Sequence, residues 1–97
     1  MSDRWEEDRK ARGWRKVATG IWLYGGTVPY SIDVWAKPAS ESYSRYDDDE
    51  QLDESRPIPE TKDGFLYSTW PGQGEFLTVE DAKASADAQP GGPVKWA

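Results

Sequence analysis

Ninety-seven residues carry 12 basic and 18 acidic groups, a net charge of −6 and a pI of about 4.6, with 36% apolar residues and neither cysteine nor histidine. That length holds one domain with a thin core. The composition excludes disulfides, a Cys/His zinc site, a cysteine nucleophile and every histidine-based triad.

Six Trp and five Tyr compensate for scarce aliphatics, because each ring buries a large apolar area once covered. Charge is distributed unevenly. Residues 1–16 hold six basic and four acidic groups, whereas residues 40–63 hold nine acidic and three basic, a segment total of −6. A protein that binds nucleic acid through a basic stripe shows the opposite balance.

In chain order, residues 1–13 read as an N-terminal arm or short helix. Ser2 is a candidate cap, Asp3, Glu6 and Glu7 suit the first turn, Glu6–Lys10 and Asp8–Arg12 are i,i+4 pairs, and Gly13 is a stop. Beyond Trp5 and Ala11 the segment has almost no apolar face, so it either docks through Trp5 and Trp14 or frays.

Residues 14–97 read as a single α+β domain. The run from Val17 to Lys37 has β-branched and aromatic residues on both sides of Gly25-Gly26, which predicts a hairpin with strands near 18–24 and 29–37. Alternation puts Tyr30, Ile32, Val34 and Ala36 on one face. Matching aliphatic to aliphatic then places Ile21 and Leu23 with Ile32 and Val34 in the core. It leaves Trp22, Tyr24 and Trp35 together on the opposite face.

Pro38 ends the second strand, and 39–63 follows as a long acidic loop in which Pro57 and Pro59 impose extended backbone. Loops of that length carry function or disorder. Phe65 to Trp70 is a third strand. Thr78 with Asp81 forms a capping-box pattern for a helix at about 79–88, whose inner stripe is Val79, Ala82 and Ala86, stopped by Pro90-Gly91-Gly92-Pro93. Val94 to Trp96 is a closing extended tail. The expected fold is α+β: a three-stranded antiparallel sheet packed on one short C-terminal helix, with the acidic loop between strands two and three. Phe65 or Leu66, Val79 and Ala82 complete the expected core.

The chemistry is narrow. Asp47, Asp49, Gln51 and Asp53 alternate like oxygen ligands, but the sixth and twelfth positions from Asp47 are Leu52 and Ile58 instead of Gly and Glu, so no metal is expected. Carboxylates in the exposed Asp-Asp-Asp-Glu run lack the burial that raises a catalytic acid's pKa, and no lysine stands out as buried, so no catalytic residue and no cofactor is expected. Gly72-Gln73-Gly74 lacks a following Gly-Lys-Ser/Thr, and Glu80 and Asp81 would repel an anion.

What remains is partner binding. Asp47, Asp48, Asp49, Glu50, Asp53 and Glu54 place six carboxylates in eight positions, a line of charge that imitates a nucleic-acid backbone and suits a basic groove. Trp22, Tyr24 and Trp35 are the candidate sources of contact energy. The expected protein is therefore a small acidic, non-enzymatic binding module directed at a basic protein surface. One form is an inhibitor of a nuclease or a nucleic-acid-guided defence complex, of the type phages and other mobile elements use. Two alternatives differ in class. One is a sheet module that binds nucleic acid, with Arg12, Arg15 and Lys16 on phosphates and Trp22 or Trp35 stacking on bases. The other is a structural or accessory protein with no ligand. The opening residues show no apolar leader core and no run reaches the length of a membrane span, so a cytoplasmic location is expected.

Overall fold

A computed structural model gives the fold and describes residues 4–24, 27–72, 74–89 and 93–97, apart from the side chains of Trp5 and Tyr24. The Ser2 cap, the Gly25-Gly26 reversal and the Pro90 to Gly92 stop lie outside the described residues. The elements are α1 (Arg4–Ala11), β1 (Arg15–Tyr24), β2 (Val28–Pro38), β3 (Phe65–Trp70), α2 (Val79–Asp87) and β4 (Lys95–Trp96). The fold is α+β, and the sheet is antiparallel throughout with strand order β3-β2-β1-β4.

The sheet has four strands where three were expected, because the tail pairs with the outer side of β1. Gly20 lies opposite Trp96 and Ile21 opposite Lys95, and the Ala97 amide donates to the Thr19 carbonyl at 2.9 Å. This two-residue strand covers the outer edge of β1 from Thr19 to Ile21. Gly20 makes the close approach possible. A Cβ there would stand 2.6 Å from Val94 Cγ1 and 2.8 Å from the Lys95 carbonyl. Gly20→Ala should therefore push β4 away and cost about 1–3 kcal/mol, the usual penalty of overpacking. Hydrogen exchange checks it: Ala97 should lose protection while β2 and β3 keep theirs, and retained protection at Ala97 contradicts the assignment.

At the start of α2 the Thr78 half of the expected capping box is present. The Thr78 hydroxyl accepts from the Asp81 amide at 3.1 Å, and Ala82 and Ala86 are buried against the sheet. Val34, Ala36, Tyr67 and Ala82 form one part of the core, with Phe65, Phe76 and Val79 at its margin. Ile32, Ala86 and Val94 form the other, with Trp22 and Trp96 packed on it.

The first strand's parity is the opposite of the expected one. Ile21 and Leu23 are 44% and 38% exposed, and Trp22 faces α2. The register pairs Ala18 with Val34 and Gly20 with Ile32, after an irregularity between Lys16 and Ala18. Shifting the parity by one residue exchanges every side chain between faces. The packing explains the choice. The small alanines of α2 leave room for large rings, and an indole removes more apolar area from water than Ile or Leu does. Trp22 and Trp35 consequently lie on opposite faces of the sheet and do not form a shared patch.

On the second face Trp35 is only 1% exposed. It lies beneath α1, whose Arg9 reaches the rings of the sheet; the expected docking through Trp5 falls on a side chain outside the described residues. The Arg9 guanidinium sits over Trp14 at 5.0 Å, Trp70 at 5.3 Å and Trp35 at 5.5 Å from the ring centroids. Glu6 forms an ion pair with Lys16, which holds the Lys16 ammonium above its ordinary pKa and the Glu6 carboxyl below its own. Glu6–Lys10 at 3.9 Å and Asp8–Arg12 at 3.4 Å staple the helix internally, and Gly13 ends it at φ +91°.

Candidate functional site

The acidic segment folds around an arginine. Arg45 is 6% exposed. Its Nε donates to the Arg56 carbonyl at 3.0 Å, Nη1 to Ser40 at 2.6 Å and Nη2 to Glu54 at 3.2 Å. A guanidinium offers five donors in a fixed fork, and these three bonds tie together backbone from residue 40 to residue 56. Two 3-10 turns, Ala39–Glu41 and Tyr43–Arg45, lead into it. The Asp53 amide returns a bond to the Arg45 carbonyl at 2.7 Å, and Arg56 Nη1 donates to the Tyr46 carbonyl at 2.7 Å.

This frame divides the six carboxylates into two groups. Asp47 Oδ1 accepts from the amides of Asp49 and Gln51, both at 2.9 Å. Asp53 Oδ1 accepts from the Ser55 hydroxyl at 2.5 Å and the Ser55 amide at 3.0 Å, bonds that hold its carboxyl below the usual aspartate range. These two acids shape the turn. Asp48, Asp49, Glu50 and Glu54 are exposed, and their side chains make no hydrogen bond or ion pair among the described residues. Glu50 has φ 59°, in the left-handed region that a glycine would occupy without strain. The fold alone gives no reason for a carboxylate at that position.

Behind the loop lies a buried polar node. No lysine stands out in the sequence as buried, yet Lys37 is fully buried and ion-paired with Glu75. Its ammonium also lies 3.4 Å from the centroid of the Tyr43 ring. Glu75 Oε1 accepts from the Ser42 hydroxyl at 2.8 Å, and Oε2 accepts from the Tyr43 amide at 3.0 Å. Burial pushes the Lys37 ammonium below its ordinary pKa despite Glu75. Burial alone would raise Glu75, but Lys37, the Tyr43 amide and Ser42 overcome it and hold the carboxyl below the usual glutamate value.

Between α1 and the acidic segment opens a cleft of about 500 Å³. Arg9, Arg12 and Trp14 line one side, and Tyr43, Tyr46, Asp47 and Glu50 the other. Arg12 reaches across to Glu41 at 3.7 Å. Its lining carries both signs of charge. Among the described residues no group of three or more carboxylates converges as a metal site would, and no helix is long and apolar enough to cross a membrane.

Of the aromatic candidates, Trp35 is enclosed under α1, Trp22 is half-buried in the α2-side core, and the Tyr24 side chain lies outside the described residues. The exposed ring beside the acids is Tyr43. Arg45, Lys37 and Glu75 carry the local structure and were not singled out in the sequence. Arg45 had one available signal: it is a lone base between two tyrosines at the head of an acidic run. Comparison with protein families, with curated proteins and with solved structures finds no match for this chain.

Proposed function

We propose that this protein is a small, acidic, non-enzymatic binding module whose exposed carboxylates Asp48, Asp49, Glu50 and Glu54 dock onto a basic surface of a nucleic-acid-binding protein. Asp47 and Asp53 would act indirectly, by shaping the turn. Tyr43 replaces the sheet tryptophans as the aromatic contact beside the acids. The observation that carries the proposal is the Arg45 anchor. A segment that served solubility alone would need charge and no fixed shape, whereas three buried guanidinium bonds hold this one in place. A fixed row of carboxylates can occupy a groove that accepts phosphates, which would make the protein a competitor of nucleic acid, as a cytoplasmic nuclease inhibitor would be.

Direct nucleic-acid binding by the sheet is less well supported. Trp35 is covered, Lys16 is ion-paired with Glu6 and lies 3.6 Å from Asp33, and Arg12 is engaged by Asp8 and Glu41. Arg15 stacks 4.8 Å over Phe65.

Affinity capture from a lysate of its own cells tests the proposal. The wild-type chain should retain a basic protein, and the variant with Asp48 and Asp49 changed to Ser and Glu50 and Glu54 changed to Gln should lose at least about tenfold in association rate, the low end of electrostatic steering. DNA and RNA oligonucleotides should bind neither form. Tighter oligonucleotide binding by the variant, abolished by changing Arg15 and Lys16, would instead favour the sheet module.

A further inference from the structure

The cleft between α1 and the acidic segment holds about 500 Å³, a size at which small ligands bind. Its two walls carry opposite charge. Arg9 on α1 and Arg12 just after it lie over the same Trp14 ring, at 5.0 and 5.5 Å from its centroid. Arg12 meets Asp8 at 3.4 Å and Glu41 at 3.7 Å. Both contacts are longer than the roughly 2.7–2.9 Å of a charge-assisted hydrogen bond, so they leave this guanidinium able to bind a further oxygen. Asp47 and Glu50 stand on the other wall with Tyr43 and Tyr46. The Asp47 carboxylate is fixed through Oδ1 by two backbone amides, both at 2.9 Å. Glu50 is exposed and sits at φ 59°.

We infer that this cleft binds arginine with a free carboxylate group: the carboxylate on Arg9 and Arg12, the side-chain stem against Tyr43 and Tyr46, and the guanidinium on Asp47 and Glu50. The charge pattern selects the ligand. Two arginines against three carboxylates leave the lining at −1, and arginine carries about +1 at neutral pH. A phosphate or a dicarboxylate would suit the arginine wall and be repelled by the acids. A simple amine would leave the arginine wall unmatched. An amino acid with an uncharged side chain holds both charges at its Cα and cannot serve two walls, whereas a long basic side chain carries its cation to the far one. A guanidinium is favoured over an ammonium, because its planar fork pairs with carboxylates at two points and stacks on aromatic rings. This use also accounts for a carboxylate at Glu50, where the backbone alone would favour glycine. Free arginine and the C-terminal arginine of a polypeptide offer the same chemistry. The inference shares Glu50 with the proposed docking surface and does not rest on it, since Arg9, Arg12 and Tyr46 lie outside that surface.

Titration of the full, isotope-labelled chain with L-arginine, followed by amide shifts, tests the inference. Saturable shifts are expected at millimolar arginine or below, centred on residues 9–14 and 43–50. Citrulline keeps the carboxylate and lacks the charge, and agmatine keeps the guanidinium and lacks the carboxylate. Each should bind at least about tenfold more weakly, the scale of one lost hydrogen bond to a charged group. Arg12→Gln should weaken arginine by a similar factor and leave agmatine unchanged. Glu50→Gly should weaken arginine without lowering the urea midpoint, because glycine accepts the positive φ. Nα-acetyl-arginine separates the two sources: binding as tight as arginine's assigns the cleft to a C-terminal residue, and weaker binding assigns it to the free amino acid. The variant with Asp48→Ser, Asp49→Ser and Glu54→Gln keeps Glu50. At physiological ionic strength it should slow association with the basic partner and hold its arginine affinity within about twofold, so the two proposals fail separately. No saturable shift at millimolar arginine, equal binding of agmatine and arginine, or arginine binding that survives Arg12→Gln overturns the inference.

Discussion

Glu75→Gln is expected to destabilise the fold by about 3–5 kcal/mol, the range for removing one partner of a buried ion pair. The substitution keeps the side chain's shape and can keep the bonds from Ser42 and the Tyr43 amide. It removes the charge that compensates Lys37, which has no exposure to water. The effect should depend on pH in two directions. In the wild type the folded pKa of Glu75 lies below its ordinary 4.5, so the carboxylate contributes stability that is present above 4.5 and is lost as pH falls through the folded value. The variant should lack that acid-side loss. Lys37 has a folded pKa below its ordinary 10.5, so the unfolded chain binds the extra proton between those values and stability rises with pH across that window. With Glu75 neutral this rise should begin at lower pH. Urea unfolding at acid, neutral and alkaline pH measures both effects. Parallel pH profiles for the two proteins would show that Lys37 and Glu75 do not act as a pair.

Trp35→Ala should cost a similar amount, about 3–5 kcal/mol, as large aromatic truncations in cores do. The ring is packed between the sheet and α1, with Arg9 and Lys16 each 5.5 Å from its centroid. Its loss leaves a cavity and removes one of the rings on which Arg9 rests. A small domain has only about 5–15 kcal/mol of total stability, so a large part of the population should unfold on mild heating. Denaturant titration gives the change in midpoint. Ile21→Ala provides the contrast: at an exposed position it should have little effect, and the reverse order of the two variants would restore the parity the sequence suggested.

The sequence shows its local rules clearly and its long-range choices poorly. Thr78 and Asp81 marked the start of α2, Phe65 to Trp70 fell where the strand lies, and Gly13 and Pro38 ended their elements, because each depends on backbone preferences of a few neighbouring residues. The parity of β1 was not legible. Alternation allows either face, and the decision rests on how the rings of Trp22 and Trp96 fit against Ala82 and Ala86, far apart in the chain. Gly20 does carry a signal: a glycine inside a strand marks the close approach of another backbone, here β4. The acidic run was visible, but its shape was not. Asp47 and Asp53 resemble their neighbours in composition and differ in accepting bonds from the turn, to which Asp53 adds an ion pair with Arg56 at 3.4 Å. Arg45 becomes meaningful once the carbonyls of Ser40, Glu54 and Arg56 surround it. Lys37 alternates with the strand like any polar residue, and its burial depends on Glu75, which lies beyond the next strand.

The dependence of association rate on ionic strength is the most direct test of the claim that Asp48, Asp49, Glu50 and Glu54 form the docking surface. With the captured partner immobilised, the wild-type rate should fall steeply as salt rises, since screening shortens the reach of exposed charges to about 8 Å at physiological strength. The four-site variant should start at least about tenfold slower and show a much flatter slope, with a smaller change in dissociation. Equal rates and equal salt slopes for the two proteins would contradict the claim and reduce the segment to a source of solubility.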